Sequence, residues 1–288
     1  MTYAVHGAAG AQGSPVLSAL VASGAEVRAL TRDRSKTFAG AVTTVVENNS
    51  AETLAAAYTG VDGVFVHLPL AGDPQTPSRH VRNIVAAAAS ARPARMVVST
   101  SGTAIGDSAS PLAGPNTPIL TELVDGLASA GITVTVLSPR LFLENLLLPP
   151  VLGGVMEEGV LRYPLRSDLA VSWCSHLDVA DAAVVALTAP EAPDLVNIGQ
   201  IPPVTGPQLA AAFAEHLGRP VVFDSITPAD FGASLEPMLG AGAAAGVAQL
   251  YTALGVADEV SFEQASGSGS RLGVRARSTR DWLAALGI

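Results

Sequence analysis

Apolar positions in the first half of the chain alternate between short continuous runs and longer stretches with helical spacing. Short apolar runs bounded by Gly, Asp or Pro are typical of buried strands, and longer amphipathic stretches are typical of helices. This pattern predicts strands at 3–6, 26–30, 42–46, 63–67, 95–100 and 132–137. It predicts helices at 11–23, 50–58, 76–91 and 117–130.

The alternation of strands and helices predicts a parallel sheet with right-handed crossovers, that is, a Rossmann doubly wound α/β fold. Gly60 and Gly131 are expected to end the second and fourth helices before the next strand begins. In such a sheet, ligands bind above the carboxyl ends of the strands.

The regular alternation of strands and helices ends after about residue 141, where prolines and a Gly-Gly pair interrupt the pattern. Beyond this point the sequence predicts a strand at 169–174, a helix at 178–188, two or three helices within 203–256 around a strand at 220–224, a flexible turn at 267–269 and a helix at 278–286. We therefore expect a dinucleotide-binding domain at 1–141, to which 169–200 returns. A smaller, mostly helical C-terminal lobe that binds substrate is expected from 142–168 and 201–288.

Composition narrows the class of protein. The chain has 288 residues, 49% of them hydrophobic, with a formal net charge of −9. The single cysteine, Cys174, excludes an internal disulfide and a thiolate metal cluster, and the five histidines lack paired metal spacing. This negative net charge argues against nucleic-acid binding.

The sequence also lacks the usual signals for membrane insertion and secretion. The apolar runs at 84–91 and 241–248 are too short to span a membrane, and the first strand leaves no room for a signal peptide. We therefore expect a cytoplasmic protein.

A glycine-rich turn follows the first predicted strand and opens the first helix. Glycines at this place let the chain reverse tightly, let the backbone approach a pyrophosphate and let the helix pack near the strand. The alternative is a tight turn without a ligand, which is less favoured because glycines are poor choices in an unliganded helix start. The turn is expected to hold a dinucleotide through Gly7, Ala9, Gly10, Ala11, Gln12 and Gly13.

A cationic turn follows the second predicted strand, where the ribose of a dinucleotide should lie. Residues 28–36 carry four cations against one acid, Asp33, in an acidic chain. Cations at this position favour the 2′-phosphate of NADP(H), whereas a carboxylate favours the 2′-hydroxyl of NAD(H). We favour NADP(H), held by Thr31, Arg32 and Lys36; Asp33 keeps NAD(H) open, and a solvated loop is the third option.

Further cofactor contacts are expected at the carboxyl ends of the other predicted strands. The residues assigned there are Asn48, His67, Leu68, Pro69, Thr100, Ser101, Pro139, Leu141 and Phe142. No metal is expected.

The chain resembles the NmrA-like family of atypical extended short-chain dehydrogenase/reductases over nearly its whole length. The matching segments are 7–13, 60–65, 138–145, which ends in Glu144-Asn145, 177–181, and 271–282. The family includes NAD(P)H quinone oxidoreductases and a transcriptional co-regulator. The resemblance therefore implies a Rossmann fold and NAD(P)H binding, with either catalysis or cofactor sensing.

The chain departs from ordinary short-chain dehydrogenases at catalysis. Those enzymes use Tyr-x-x-x-Lys, in which the lysine lowers the pKa of the tyrosine so that the phenol exchanges a proton. The only lysine here is Lys36, and Arg32 lies four residues before it. On the corresponding helix, Asn116 and Leu120 occupy the two positions. Ser101 matches the serine of the usual triad, although its hydroxyl could equally cap a turn or touch the cofactor amide.

Hydride transfer without a protein acid suits an acceptor that is already electrophilic, such as a quinone or a conjugated enone. Candidate catalytic groups on the acceptor side are Ser101, Asn145 and His176. His176 could serve as a proton donor near neutral pH. The plainer interpretation is that Asp178 caps a helix and His176 lies in a loop. Phe142, Tyr163 and Trp173 could line an aromatic pocket or belong to the core.

Three function classes remain open. The first is an NADPH-dependent reductase of a quinone or aromatic enone, such as a polyketide in secondary metabolism. The second is an NADP-binding redox sensor without turnover, and the third is a cofactor-dependent coupling enzyme or isomerase without net redox change. The expected partner is a small-molecule substrate, and a homodimer is one assembly that we consider.

Overall fold

The computed structural model describes residues 1–68 and 75–287. Its strands are β1 Thr2–Val5, β2 Glu26–Thr31, β3 Val42–Val45, β4 Gly63–His67, β5 Arg95–Ser99, β6 Thr133–Pro139, β7 Val160–Tyr163, β8 Ala170–Val171, β9 Leu195–Ile198, β10 Val222–Ser225 and β11 Glu259–Val260.

The helices connect these strands and build the C-terminal half. They are α1 Gly13–Ala22, α2 Ala51–Tyr58, α3 Gln75–Ala91, α4 Thr117–Ser129, α5 Pro149–Gly153, α6 His176–Thr188, α7 Gly206–Leu217, α8 Pro228–Leu239, α9 Ala241–Leu254, α10 Ser268–Leu272 and α11 Thr279–Leu286. Short 3-10 helices lie at Leu143–Leu147 and Gln264–Ser266, and a π-helical turn lies at Gly154–Glu158.

Seven strands of the described residues form one sheet in the order β3-β2-β1-β4-β5-β6-β9, with every pair parallel. The predicted Rossmann-like α/β fold is therefore confirmed. The strand order reverses beside β1, and the glycine loop that follows this strand lies at the switch point where doubly wound sheets bind ligands.

The core has three hydrophobic clusters. One cluster packs α1 and α6 on one face of the sheet, and a second packs α2, α3 and α4 on the other face. The third gathers residues between Ala104 and Leu283, most of them after Pro139, around Tyr163 and Trp173. The predicted lobe at 142–168 and 201–288 supplies most of this third cluster. The domain division itself stays a prediction.

Several details of the C-terminal half differ from the sequence prediction. The strand expected at 169–174 is only Ala170–Val171, and it pairs with β11 outside the main sheet. The pattern did not reveal β9, although β9 completes that sheet beside β6. The flexible turn expected at 267–269 is wrong, because α10 begins at Ser268, whose side chain is buried. These elements are short, so each carries too few residues for a clear periodicity.

Candidate active site

The glycine loop between β1 and α1 has a folded shape of its own. Gly7 has a φ of 59°, a left-handed conformation that favours glycine. The amide of Gly10 donates to the carbonyl of Gly7 at 2.7 Å, and the amide of Ser14 donates to the carbonyl of Gly10 at 3.0 Å. These bonds hold a turn through residue 12, which is why α1 begins at Gly13 and not at residue 11 as the pattern predicted.

The three glycines of this loop meet different surroundings. A Cβ atom on Gly13 would lie 2.2 Å from the Gly7 carbonyl oxygen, so Gly13 lets the helix pack against the loop. A Cβ on Gly7 would lie 2.6 Å from Nε2 of His67. A Cβ on Gly10 would meet, among the described residues, only the Gly7 oxygen at 3.1 Å. Gly10 therefore leaves its side open, as close approach of a ligand to the backbone requires.

Gln12 ties the glycine loop to the end of β5. Its Oε1 accepts a hydrogen bond from the Ser99 hydroxyl at 2.7 Å, and its Nε2 donates to the Ser101 hydroxyl at 2.8 Å. Ser101 has a φ of 55° and is exposed. Next to it, Thr100 Oγ1 is buried and has no hydrogen-bond partner within the described part of the chain. A hydroxyl in this state calls for a ligand or a water molecule.

The cationic turn after β2 forms one wall of a groove of about 410 Å³ beside the glycine loop. The residues that line it are Ala9, Thr31, Arg32, Asp33 and Lys36. Asp33 Oδ1 accepts from the backbone amide of Ser35 at 2.9 Å and from its hydroxyl at 2.6 Å. These two hydrogen bonds lower the pKa of Asp33. Ser35 thus engages one oxygen of the Asp33 carboxylate, and Arg32 and Lys36 are the two cations that line the groove.

One cation of this segment serves another purpose. Arg28 donates to the carbonyl oxygens of Ala57 and Thr59, both at 2.8 Å, and so binds the last turn of α2. The cationic cluster at the groove is therefore smaller than the four residues that the sequence suggested.

The other residues assigned to the cofactor lie along the carboxyl ends of the strands. Exposed or half-buried positions are Gly7, Ala9, Gly10, Ala11, Thr31, Arg32, Lys36, Asn48, His67, Leu68, Ser101 and Phe142. Buried positions are Gln12, Gly13, Thr100, Pro139 and Leu141. Pro69 lies outside the described residues. The first group can touch a ligand in the crevice, whereas the second group shapes its walls.

His67 ends β4, and its ring lies beside Gly7 of the glycine loop. It pairs in register with Ser99 of β5, and its Nε2 is buried without a hydrogen-bond partner in the described residues. Burial lowers the pKa of His67, and the electrostatic influence of His176 lowers it further. The ring is therefore neutral at neutral pH.

The segment after β6 brings Phe142 and Glu144 against the first turn of α6. The rings of Phe142 and His176 lie 4.4 Å apart between centroids. His176 is the first residue of α6, so the expectation that it lies in a loop is wrong. Asp178 caps the helix by accepting from the Ser175 amide at 2.7 Å, which confirms the predicted cap.

Asp178 also binds the C-terminal segment of the chain. Its carboxylate is fully buried, and Oδ1 accepts from the guanidinium of Arg277 at 2.7 Å. Burial raises the pKa of Asp178, and its bonds to Ser175 and Arg277 oppose that shift. The pair fastens residue 277 to α6 beside the site.

Asn145 faces a pair of buried tyrosines. The hydroxyls of Tyr163 and Tyr251 are hydrogen-bonded to each other, and the Asn145 side chain opposes the rise in pKa that burial causes at both phenols. Tyr163 and Trp173 are fully buried in the third cluster, so both belong to the core, as one of the two interpretations held. Of the three aromatic candidates, Phe142 alone is half-buried at the crevice.

Sequence reasoning missed two residues of the site, Ser99 and Glu144. Ser99 ends β5 and binds Gln12, and Glu144 lies within the segment that carries the family resemblance. Its position beside Asn145 was the available signal. The burial of its Oε2 atom appears only in the folded chain.

Two features are absent from residues 1–68 and 75–287. Within those ranges no helix combines the length and the apolar content that a membrane crossing requires. Nor do three His, Cys, Asp or Glu side chains of these residues come together in a way that could hold a metal ion.

Comparison with known proteins agrees with this architecture. The model of the NmrA-like family matches residues 1–268. An NAD(P)H azoreductase of Xenophilus azovorans is 34% identical over 238 residues, which cover 77% of this chain and 76% of the relative.

Two solved structures share the fold across all of both chains. Triphenylmethane reductase of Citrobacter sp., complexed with NADP(H), superimposes with a TM-score of 0.83 at 18% identity and 100% coverage of each chain. An NADPH-dependent quinone oxidoreductase of Escherichia coli, complexed with NADPH, gives a TM-score of 0.76 at 20% identity, again with 100% coverage. From its family model, its azoreductase relative and its fold, the chain belongs to the NmrA-like family.

Proposed function

We propose that this protein is an NADPH-dependent oxidoreductase that reduces a conjugated aromatic acceptor, such as a quinone or an enone. The observation that carries the proposal is the open glycine loop next to a groove lined by Arg32 and Lys36. The azoreductase relative and the NADPH-bound quinone oxidoreductase of the same fold support it.

The residues of the crevice fit a dinucleotide with a 2′-phosphate. Gly10 leaves space for a pyrophosphate beside the backbone, and the amide of Gly13 at the start of α1 has no hydrogen-bond acceptor among the described residues. Arg32 and Lys36 offer cations to a 2′-phosphate. Thr100 Oγ1 and His67 Nε2 are buried polar atoms that still lack partners among the described residues, as expected at a site for a polar ligand.

NADPH, when bound, supplies the hydride. The chain's own part is to hold the dinucleotide along the strand ends and to place an acceptor beside Ser101, Phe142 and His176. The ring of Phe142 offers an apolar face on which a flat aromatic acceptor can stack.

The class of acceptor follows from the groups that this site lacks. The chain carries no Tyr-x-x-x-Lys, and its four tyrosines are buried. A simple ketone would become a strongly basic alkoxide and needs a strong acid in the site. A quinone, a conjugated enone or an azo compound becomes a delocalised anion, which hydrogen-bond donors can stabilise. Ser101, Asn145 and His176 are the candidate donors.

The decisive experiment compares acceptors at a fixed NADPH concentration. A naphthoquinone, an azo dye and an unactivated ketone are each incubated with protein and with NADPH deuterated at the transferred position. We expect NADPH oxidation and deuterium transfer with the first two and little turnover with the ketone. If NADPH binds but no acceptor takes up deuterium, the protein is a sensor or a non-redox enzyme.

A further inference from the structure

Glu144 is half-buried, with its side chain 21% exposed, and its two carboxylate oxygens differ in their hydrogen bonding. Its Oε1 accepts hydrogen bonds from the Ser175 hydroxyl at 2.6 Å, from the backbone amide of His176 at 3.1 Å and from Trp282 Nε1 at 3.3 Å. Its Oε2 is buried and has no hydrogen-bond partner in the described residues. Such an oxygen is costly unless a cation or a donor faces it.

The group that faces this oxygen is the imidazole of His176. Nδ1 of His176 lies 4.0 Å from Oε2 of Glu144, and the side chain of His176 is only 16% exposed. The Phe142 ring packs against the imidazole and restricts its rotation. With Nδ1 directed at Glu144, Nε2 is the nitrogen left for another partner.

The pair stands next to the proposed cofactor crevice. His176 is close enough to His67 to influence its ionisation, and His67 lies over Gly7 of the glycine loop. Phe142 follows the end of β6, whose neighbour β5 ends at Ser99. An acceptor held beside Phe142 is therefore within reach of the His176 ring.

We propose that His176 delivers the proton that completes reduction of the acceptor, and that Glu144 positions His176 and stabilises its protonated form. This inference rests on the function proposed above. The acceptor gains a hydride from NADPH and becomes an anion; the His176 imidazolium then breaks its Nε2–H bond, the proton forms an O–H or N–H bond on the acceptor, and neutral imidazole remains. A proton from water restores the imidazolium. Glu144 is a positioning residue in this scheme, because it acts through His176.

The charges around His176 set the direction of its pH dependence. Burial lowers the pKa of His176, and the carboxylate of Glu144 opposes this by raising it. His67 faces the ring from β4 and is neutral, as argued above. Asp178 of the same helix is paired with Arg277, which also pairs with Asp181. The neutral ring keeps its single proton on Nδ1, which faces Glu144, so that only the imidazolium carries a proton on Nε2. The proton-dependent rate should therefore rise as pH falls through the pKa of His176 and level off below it.

The first measurement follows the His176 imidazole by NMR titration in the protein without added ligands. We expect the pKa of His176 to fall by about one unit in Glu144→Gln, because an opposite charge within 4–6 Å shifts a pKa by this order. Glu122→Gln, an exposed carboxyl on α4, serves as the matched control and should leave the titration unchanged. Equal pKa values in the native protein and in Glu144→Gln would overturn the positioning role.

The second measurement records the pH profile of single-turnover reduction of a naphthoquinone by bound NADPH. The native profile should fall at high pH, Glu144→Gln should move this limb to lower pH by the same shift as the titration, and His176→Gln should abolish it. A limb that survives in His176→Gln would overturn proton delivery by this residue. If Glu144→Gln does not fold, Ser175→Ala removes a donor to Oε1 without changing the charge and should raise the pKa of His176.

The two measurements separate this inference from the proposed function. If no acceptor oxidises NADPH, the proposed function fails and proton delivery fails with it. A pKa shift in Glu144→Gln would still establish that Glu144 acts on His176. If turnover occurs with a profile that neither variant alters, the proposed function stands and this inference fails.

Discussion

Nε2 of Gln12 donates a hydrogen bond to the hydroxyl of Ser101 at 2.8 Å, across the opening between the glycine loop and β5. Because Oε1 of the same amide accepts from Ser99, the loop is fixed to the strand end by both ends of one side chain. Gln12 therefore shapes the crevice before any ligand enters. The hydroxyl proton of Ser101 remains available to a ligand.

The glycine loop yields a first prediction, in which one substitution affects cofactor binding and another affects stability. Gly10→Val should abolish NADPH binding and leave the fold largely intact, because its Cβ would meet only the Gly7 oxygen, at 3.1 Å, among the described residues, and its side chain would lie where the pyrophosphate must approach. Gly13→Ala should instead destabilise the protein, because its Cβ would lie 2.2 Å from the Gly7 oxygen. Circular dichroism with a binding titration distinguishes the two. Retained binding in Gly10→Val would mean that the loop is only a turn.

The cationic groove yields a second prediction. Arg32→Ala should weaken NADPH binding by about 1–3 kcal/mol, as expected for loss of a charge-assisted contact, and should leave NADH binding nearly unchanged. Arg34→Ala is the matched control, because Arg34 is not among the residues that line the groove. Calorimetric titration of the three proteins tests this. Equal affinity of the native protein for NADPH and NADH would contradict the assignment.

The tyrosines yield a third prediction. Tyr3, Tyr58, Tyr163 and Tyr251 are at most 3% exposed, and burial raises the pKa of each. None is placed to protonate an acceptor. Each tyrosine is changed in turn to Phe. The single-turnover rate should then fall by much less than the roughly hundredfold decrease that removal of a general acid causes. One Tyr→Phe variant that loses hydride transfer but keeps NADPH binding would refute this.

Asn145 yields a fourth prediction. Asn145→Ala should slow turnover more than it weakens NADPH binding, if the amide stabilises charge on the acceptor. Tyr163→Phe is the matched variant, because it removes a phenol hydroxyl on which Asn145 acts and keeps the amide. We expect a smaller loss of kcat in Tyr163→Phe than in Asn145→Ala. Equal losses would indicate that Asn145 only supports the core around the tyrosine pair.

His6 yields a prediction about stability. It is buried, hydrogen-bonded to the Tyr58 hydroxyl, and burial lowers its pKa to about 3. In the unfolded chain its pKa is near 6.5, so only the unfolded state binds this proton between the two values. The contribution of His6 to the free energy of unfolding is therefore fully present above pH 6.5. It decreases as pH falls below this value, by up to about 1.4 kcal/mol per pH unit.

His6→Gln removes that proton uptake. The difference in free energy of unfolding between native protein and variant should be largest near neutral pH and should shrink as pH approaches the folded-state pKa. Urea unfolding at several pH values measures it. A difference that is constant with pH would show that His6 does not become protonated on unfolding.

The early strands and the glycine loop were predictable from the sequence because their signals are local. The run before Gly7 is apolar and continuous, and Gly7, Gly10 and Gly13 mark a turn that few other residues could form. The cap at Asp178 is equally local, since it joins residues only three positions apart. Family membership followed from the same segments.

The tertiary structure decided every relationship between distant parts of the chain. Glu144 meets Trp282 across 138 positions, Asp178 meets Arg277 across 99, and Gln12 meets Ser101 across 89. The spacing of hydrophobic residues along the sequence does not predict such pairs, because they depend on how helices pack on the sheet. The sequence alone thus determined the fold, and it predicts the place where a dinucleotide would lie. Which carboxylate faces His176 was decided by packing, since burial leaves that oxygen no other partner among the described residues.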